Sequence, residues 1–378
     1  MGKENNFGKE KKMLKKVKVI LITGILMVGL VSASSVSQAQ KLEKVLFLVP
    51  RPSVDVFDDV IFVVAEKMGY FAEEGLDVRW EGTKGGTDCT RLVATGAADF
   101  GYPSEMIMSI SIQSGMDIVN VFQIDQMNVF DFGVRLDSGL TRLEQLKGKT
   151  IALGSASWAV ICDPILRAAG LDPEKDVKYI SVGEQRAQAV LAGRADALLT
   201  WEMEWQLWRD QGIELGIIYG DPRFHVQGNC YCASRKMVKE RPDIIEKFLR
   251  ASTKGLVFAA VNPAAGAEMV LKKFPRIKCS WKAAVENASY LPYNNGSLDS
   301  QLHGFGWANL NLWRKNVTGM VVSGALKSYI DPSSFTTHQF VGPANDFDYE
   351  RIIAQAQSYK LKSHEYPEDY EERGYILK

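Results

Sequence analysis

Two stretches decide how this chain folds: LVATGAADFGY at residues 92–102 and AVLAGRADALLT at 189–200. Each reads as the last turns of a helix, a glycine, one further residue, Ala-Asp and then a strand. Gly96 matches Gly193 and Asp99 matches Asp196. A glycine at this place is expected to cap the helix in the left-handed conformation, which a residue without Cβ adopts cheaply. Each aspartate then stands at the base of its strand. Two copies of one helix-to-strand unit in a chain of 378 residues predict two α/β lobes, in keeping with a length beyond what one core usually serves.

Outward from these stretches, apolar strand-like runs alternate with helical ones. KVLFLVP at 44–50, LDVRW at 76–80 and DIVNVFQ at 117–123 read as strands of the first set, and NVFDFGVR at 128–135 is another alternating run. TIALG at 150–154, DVKYISV at 176–182 and IELGIIYG at 213–220 read as strands of the second set. VQGNCYCASRKMV, from 226, reads as a strand returning to the first lobe, and helices follow. The expected division is residues 40–134 with 226–360 in lobe 1, 135–225 in lobe 2, and a charged, proline-broken surface tail at 361–378.

The amino-terminal segment differs in kind. A basic stretch at 1–18 precedes the apolar run VILITGILMVGLV at 19–31, short for a bilayer, and a small polar stretch with Ser37 and Ala39 follows. This predicts a cleaved signal peptide over 1–39; a retained membrane anchor is the other reading. No cysteine ends the apolar run, which points to a periplasm rather than lipid attachment. Without residues 1–39 the formal charge is −5, so a nucleic-acid-binding surface is not expected. The four histidines, His225, His303, His338 and His364, show no metal-ligand spacing, and neither a Walker sequence nor a dinucleotide fingerprint occurs; no metal or cofactor is expected. Cys230 and Cys232 are expected to be small buried side chains or a local disulfide.

Several further signatures occur in order: F-x-x-x-G-L-D-V at Phe71–Val78, G-G-T at Gly85–Thr87, L-x-x-x-G-x-A-D-F-G at 92–101, L-x-x-L-K-G-K-T-I-A at 143–152 and A-x-L-x-G-R-A-D-A at 189–197. Over residues 44–275 the chain resembles the periplasmic substrate-binding proteins of ABC importers that take up pyrimidine precursors, sulfonates and nitrate. The resemblance implies a type II binding-protein fold, two Rossmann-like lobes joined by two crossings near 130–136 and 222–230, with hinge closure on ligand. It also implies a permease and an ATPase in the inner membrane as partners and a monomeric protein. A ligand-sensing receptor and an enzyme of pyrimidine synthesis share the fold and are the alternatives.

Ligands of open parallel sheets bind outside the carboxyl ends of the strands. That rule sets Tyr102 and Ser104 of one lobe opposite Trp201 and Glu202 of the other. Gly85, Gly86 and Thr87 in the first lobe, and Ser155, Ser157 and Trp158 in the second, lie between a strand end and a helix start, where free amides and hydroxyls can meet a ligand oxygen; plain helix capping explains the same residues. Phe132 stands near a crossing and is a candidate stacking ring, with core packing the other reading. Glu184 and Glu202 open predicted helices and suit an N–H-bearing ligand, whereas Arg51 suits a carboxylate or sulfonate. No nucleophile, base and orienting acid come together, so an enzyme is not expected. The expected ligand is a planar, partly polar ring compound, with an aromatic carboxylate or a sulfonate as the other candidates.

Overall fold

In the computed structural model the described residues are 41–52, 56–220, 226–277 and 279–365. The signal-peptide segment 1–39, His225 and residues 366–378 of the expected tail lie outside them. The side chains of Glu202 and Trp205 are likewise not among those described.

The first lobe begins with β1 (Glu43–Val49), α1 (Val56–Lys67), β2 (Leu76–Gly82), α2 (Gly86–Ala94), β3 (Phe100–Gly101), α3 (Glu105–Gln113) and β4 (Ile118–Phe122). The second contains β5 (Phe130–Val134), β6 (Lys149–Leu153), α4 (Ala159–Ala168), β7 (Val177–Ser181), α5 (Arg186–Leu191), β8 (Ala197–Trp201), α6 (Glu202–Asp210) and β9 (Gly216–Ile218). The chain then returns through β10 (Tyr231–Ser234). The sheet orders are β2-β1-β3-β10-β4 and β7-β6-β8-β5-β9. In each sheet the antiparallel member is the strand that follows a crossing, β10 against β3 and β4, and β5 against β8 and β9. The two lobes therefore repeat one topology, each completed by a strand that has just crossed from the other. This is the type II periplasmic-binding-protein fold.

The repeated aspartates explain why the two stretches look alike. Asp99 accepts Leu46 N–H at 2.9 Å and returns its own N–H to the Leu46 carbonyl. Asp196 accepts Thr150 N–H at 2.9 Å and returns its N–H to the Thr150 carbonyl. Each side chain thus serves as a rung that joins strand starts before the ladder begins. Gly96 and Gly193 have φ of 75° and 70°, as expected of left-handed caps.

Two expectations about boundaries change. The first crossing occupies 123–129 rather than 130–136, and β5 belongs to the second sheet, with Phe132 and Val134 in that lobe's core. Alternation identified the strand but carries no information on which sheet pairs with it, because pairing is a long-range choice. The expected strand from 226 shortens to 231–234 and gives way to a helix at Arg235–Glu240, whose N-cap Ser234 accepts Met237 N–H. Cys230 and Cys232 are free thiols buried beside Cys89, and burial pushes all three thiols above their usual range.

The carboxy-terminal part packs mainly on the first lobe. Helices α7 (Pro242–Val261) and α8 (Pro263–Lys273) cover α1, and α9 (Trp281–Ala288), α10 (Leu291–Asn295) and α12 (Tyr349–Ser358) extend the same core. Two helices also reach the second lobe: α9, at whose start Ser280 N–H donates to Asp210 Oδ2 at 2.6 Å, and α11 (Leu310–Val322). In α11, Trp313 packs with Cys89 and Cys232 of the first lobe, while Val317 and Met320 join the second-lobe core. The start of the expected tail is docked rather than free. The Glu268 carboxylate accepts the N–H groups of Lys362 and Ser363 at 2.9 and 2.8 Å, and His364 stacks on Trp281.

Asp99→Ala removes the acceptor for Leu46 N–H and a partner of Arg241, at 3.1 Å. It is expected to destabilise the first lobe by about 1–3 kcal/mol, read from the urea midpoint at unchanged slope.

Candidate functional site

A cleft with about 760 Å³ of empty space, its open mouth included, lies where the two sheets point their strand ends at each other. Its first-lobe side is made by Pro50 and Arg51 after β1, Gly86 at the start of α2, Tyr102 and Ser104 between β3 and α3, and Ile107 in the first turn of α3. Ser157, Trp158, Ile161 and Trp201 form the second-lobe side. Asp125 and Val129 come from the first crossing, Phe130 from the start of β5, Asn229 from the second crossing, and Asn294 from α10.

The second-lobe side is an aromatic corner. The Trp158 and Trp201 rings meet edge to face, 5.8 Å apart at 65°. Gly154 makes room for the first: a Cβ there would lie 2.5 Å from the Trp158 ring. Beneath both sits the Arg186 guanidinium, fully buried, its carbon 4.7 Å from the Trp158 centroid and 5.3 Å from that of Trp201. A buried cation needs compensation, and Glu204 supplies it through a two-pronged pair with both guanidinium nitrogens. Leu199 O accepts from Arg186 at 2.6 Å, and Thr200 Oγ1 donates to Glu204 at 3.1 Å. Burial lifts the Glu204 carboxyl above its usual range, against the pull of Arg186. The tryptophans are thus mounted on a neutralised ion pair that fixes their angle from behind.

The opposite wall turns on Asp125. Its Oδ2 accepts Tyr102 Oη–H at 2.9 Å and Asn229 N–H at 3.2 Å; its Oδ1 accepts the amide nitrogens of Asn294 at 2.7 Å and Asn295 at 3.2 Å. Burial pushes this carboxyl up to about 7, while the four donors draw it down. Around it the crossings pair with each other: Gly228 N–H reaches Asp125 O, Asp125 N–H reaches Asn229 O, and the Gln227 amide donates to Gln126 Oε1 at 2.9 Å.

Of the residues expected at the cleft, Arg51, Gly86, Tyr102, Ser104, Ser157, Trp158 and Trp201 line it. Arg51 is ion-paired to the buried Asp59 at 2.6 Å, which cancels the charge an anionic ligand would seek. Gly85, Thr87 and Ser155 are not among the lining residues. Gly85 is the N-cap of α2, Thr87 is exposed, and the Ser155 hydroxyl bonds that of Ser157 at 2.7 Å. Phe132 does not reach the cleft: it points into the second-lobe core and is fully buried. Glu184 does not either, since Gly183 (φ 60°) turns the chain so that its side chain faces solvent. Sequence reasoning missed Asp125, Asn229 and Asn294, and the Arg186–Glu204 mount. The polar runs QIDQMN at 123–128 and VQGN at 226–229, set between apolar strands, were the available cue for the hinge residues.

The model of the family described as NMT1/THI5 like matches residues 57–266, more than half of the chain, and the chain belongs to that family. It is 24% identical to a riboflavin-binding protein of Chloroflexus aurantiacus, over 74% of this chain and 81% of that protein. It is likewise 24% identical to a formylaminopyrimidine-binding protein of Halalkalibacterium halodurans, over 66% and 77%. A pyrimidine phosphate synthase of Legionella pneumophila is 21% identical over 57% of this chain and 70% of its own. Among solved structures, an alkanesulfonate-binding protein of Xanthomonas axonopodis superposes with a TM-score of 0.61 at 14% identity, over 78% of this chain and 98% of that one. The relatives matched over the larger shares are binding proteins, and this chain is a binding protein of that family rather than an enzyme.

Arg186→Leu strands Glu204 in the interior and is expected to cost about 3–5 kcal/mol, whereas Arg186→Leu with Glu204→Leu costs less; paired urea titrations read the difference. Asp125 gives a pH signature. Its folded-state value near 7 stands above the ordinary carboxylate value near 4, so its contribution to stability is full below about 4 and is lost as pH rises through about 7. The melting temperature of the wild type minus that of Asp125→Asn is therefore expected to fall between pH 4 and pH 7.

Proposed function

We propose that the protein captures a neutral, planar nitrogen heterocycle of the pyrimidine or flavin class in the interlobe cleft, closes on it by rotation at the two crossings, and presents it to an inner-membrane permease and ATPase. The supporting observation is the Trp158–Trp201 corner on its neutralised mount, facing a cleft whose one cationic lining residue among those described is already paired. Flat rings gain about 1–3 kcal/mol per stacking partner, with little dependence on their substituents. A sulfonate or nitrate needs positive charge, and the Arg51–Asp59 pair offers little. The names of the riboflavin-binding and formylaminopyrimidine-binding relatives fit a flat heterocycle better than an inorganic or sulfonate anion. On this reading residues 1–39 direct export and are removed, and the mature protein works in the periplasm.

Ligand contacts are assigned to Tyr102, Ser104, Ser157, Trp158 and Trp201, with Gly86 admitting close approach of the ring edge. Native mass spectrometry of protein purified from its own periplasm is expected to show one bound heterocycle per chain, identified after denaturing release. Trp201→Ala is expected to weaken that ligand about 10- to 100-fold in calorimetry while the empty protein's melting temperature moves by only a few degrees. A stoichiometric sulfonate, or wild-type affinity in the variant, overturns the assignment.

A further inference from the structure

We propose that the hinge end of the cleft selects the ligand by its N–H groups, through the side-chain carbonyls of Asn294 and Asn229. This rests on the heterocycle reading above and narrows it to rings that carry a donor edge, such as a ring imide or an exocyclic amine. Both residues line the cleft, and in both the Oδ1 atom is buried without a hydrogen-bond partner. Asn294 itself is only 5% exposed. A buried acceptor without a donor loses its water and gains nothing in return, a cost a native site tolerates where a ligand repays it.

Asn294 donates its amide nitrogen to Asp125 Oδ1 at 2.7 Å, which leaves its carbonyl end over. Asn295, the next residue, serves the same carboxylate and also donates to Ile124 O at 2.9 Å, which fixes α10 against the first crossing. Asn229 is held by its backbone: its N–H goes to Asp125 Oδ2 and its carbonyl accepts Gln123 Nε2 at 3.0 Å. One carboxylate thus positions the two orphan acceptors that line the cleft, one from the second crossing and one from α10; Asn295 Oδ1 is also without a partner but does not line the cleft.

A sulfonate or nitrate has no donor to offer these carbonyls, and an anionic oxygen placed against them is repelled.

The test uses the mature full-length protein with two probe pairs: riboflavin against 3-methylriboflavin, and 4-amino-5-hydroxymethyl-2-methylpyrimidine against its dimethylamino counterpart. Calorimetry on the wild type is expected to give at least one pair in which the N–H form binds about 10- to 100-fold tighter than the methylated form. Asn294→Leu is expected to bring that ratio within about 3-fold by weakening the N–H form. A purely steric penalty of the methyl group would survive the substitution, so an unchanged ratio in Asn294→Leu overturns the proposal. Asn229→Ala, which leaves its backbone contacts to Asp125 in place, serves as the second variant and is expected to narrow the ratio as well. If Asn294→Leu does not fold, a full wild-type ratio in Asn229→Ala overturns the proposal. Equal wild-type binding of both members of each pair overturns this inference but leaves the heterocycle reading standing. No binding of any ring probe overturns both.

Discussion

The Asp125 carboxylate is the constraint on which the rest of the site depends. It sits where the two crossings run side by side, and its four donors come from three places: a strand end, the second crossing and two neighbouring residues of α10. A carboxyl is buried at such a point only when its oxygens are hydrogen-bonded, so each donor is held as firmly as the carboxyl itself. The hinge, the Tyr102 wall and the carboxy-terminal segment are thereby made parts of one polar unit. Trp307 O, which receives the amides of Gln126 and Gln227, extends that unit along the same segment.

The second lobe solves the matching problem with a different device. Its ligand-facing surface is apolar and aromatic, which gives area but no fixed direction. The buried Arg186–Glu204 pair provides direction, because a guanidinium that is bonded in one plane presents a flat face to the rings above it. One wall is therefore polar and set by hydrogen bonds, and the other is stacked and set by an ion pair that never touches the cleft. A flat ligand with a polar edge matches both at once.

The two-lobed α/β architecture was legible in the sequence because it rests on local periodicity and on a repeat. The Ala-Asp units at 98–99 and 195–196 reveal equivalent strand starts before any contact is known, since the same backbone N–H has to be satisfied twice. Tyr102, Trp158 and Trp201 were legible through the rule that ligands sit at strand ends. The sheet that claims β5 was not, because Phe130–Val134 reads as a strand on either side of the crossing. Asn294 was not legible either: it lies 169 residues from the carboxylate it serves, in a polar stretch whose only local signal is a short helix. Arg186 and Glu204 look like ordinary surface charges of two amphipathic helices, and only the fold brings them together under the rings.

Helix α11 places Trp313 in the packing of one lobe and Val317 and Met320, one to two turns on, in that of the other. Trp313 also donates to Gln123 at the start of the first crossing, at 3.0 Å. The helix therefore belongs to the packing of both lobes, and any rotation at the crossings has to repack side chains along about two of its turns.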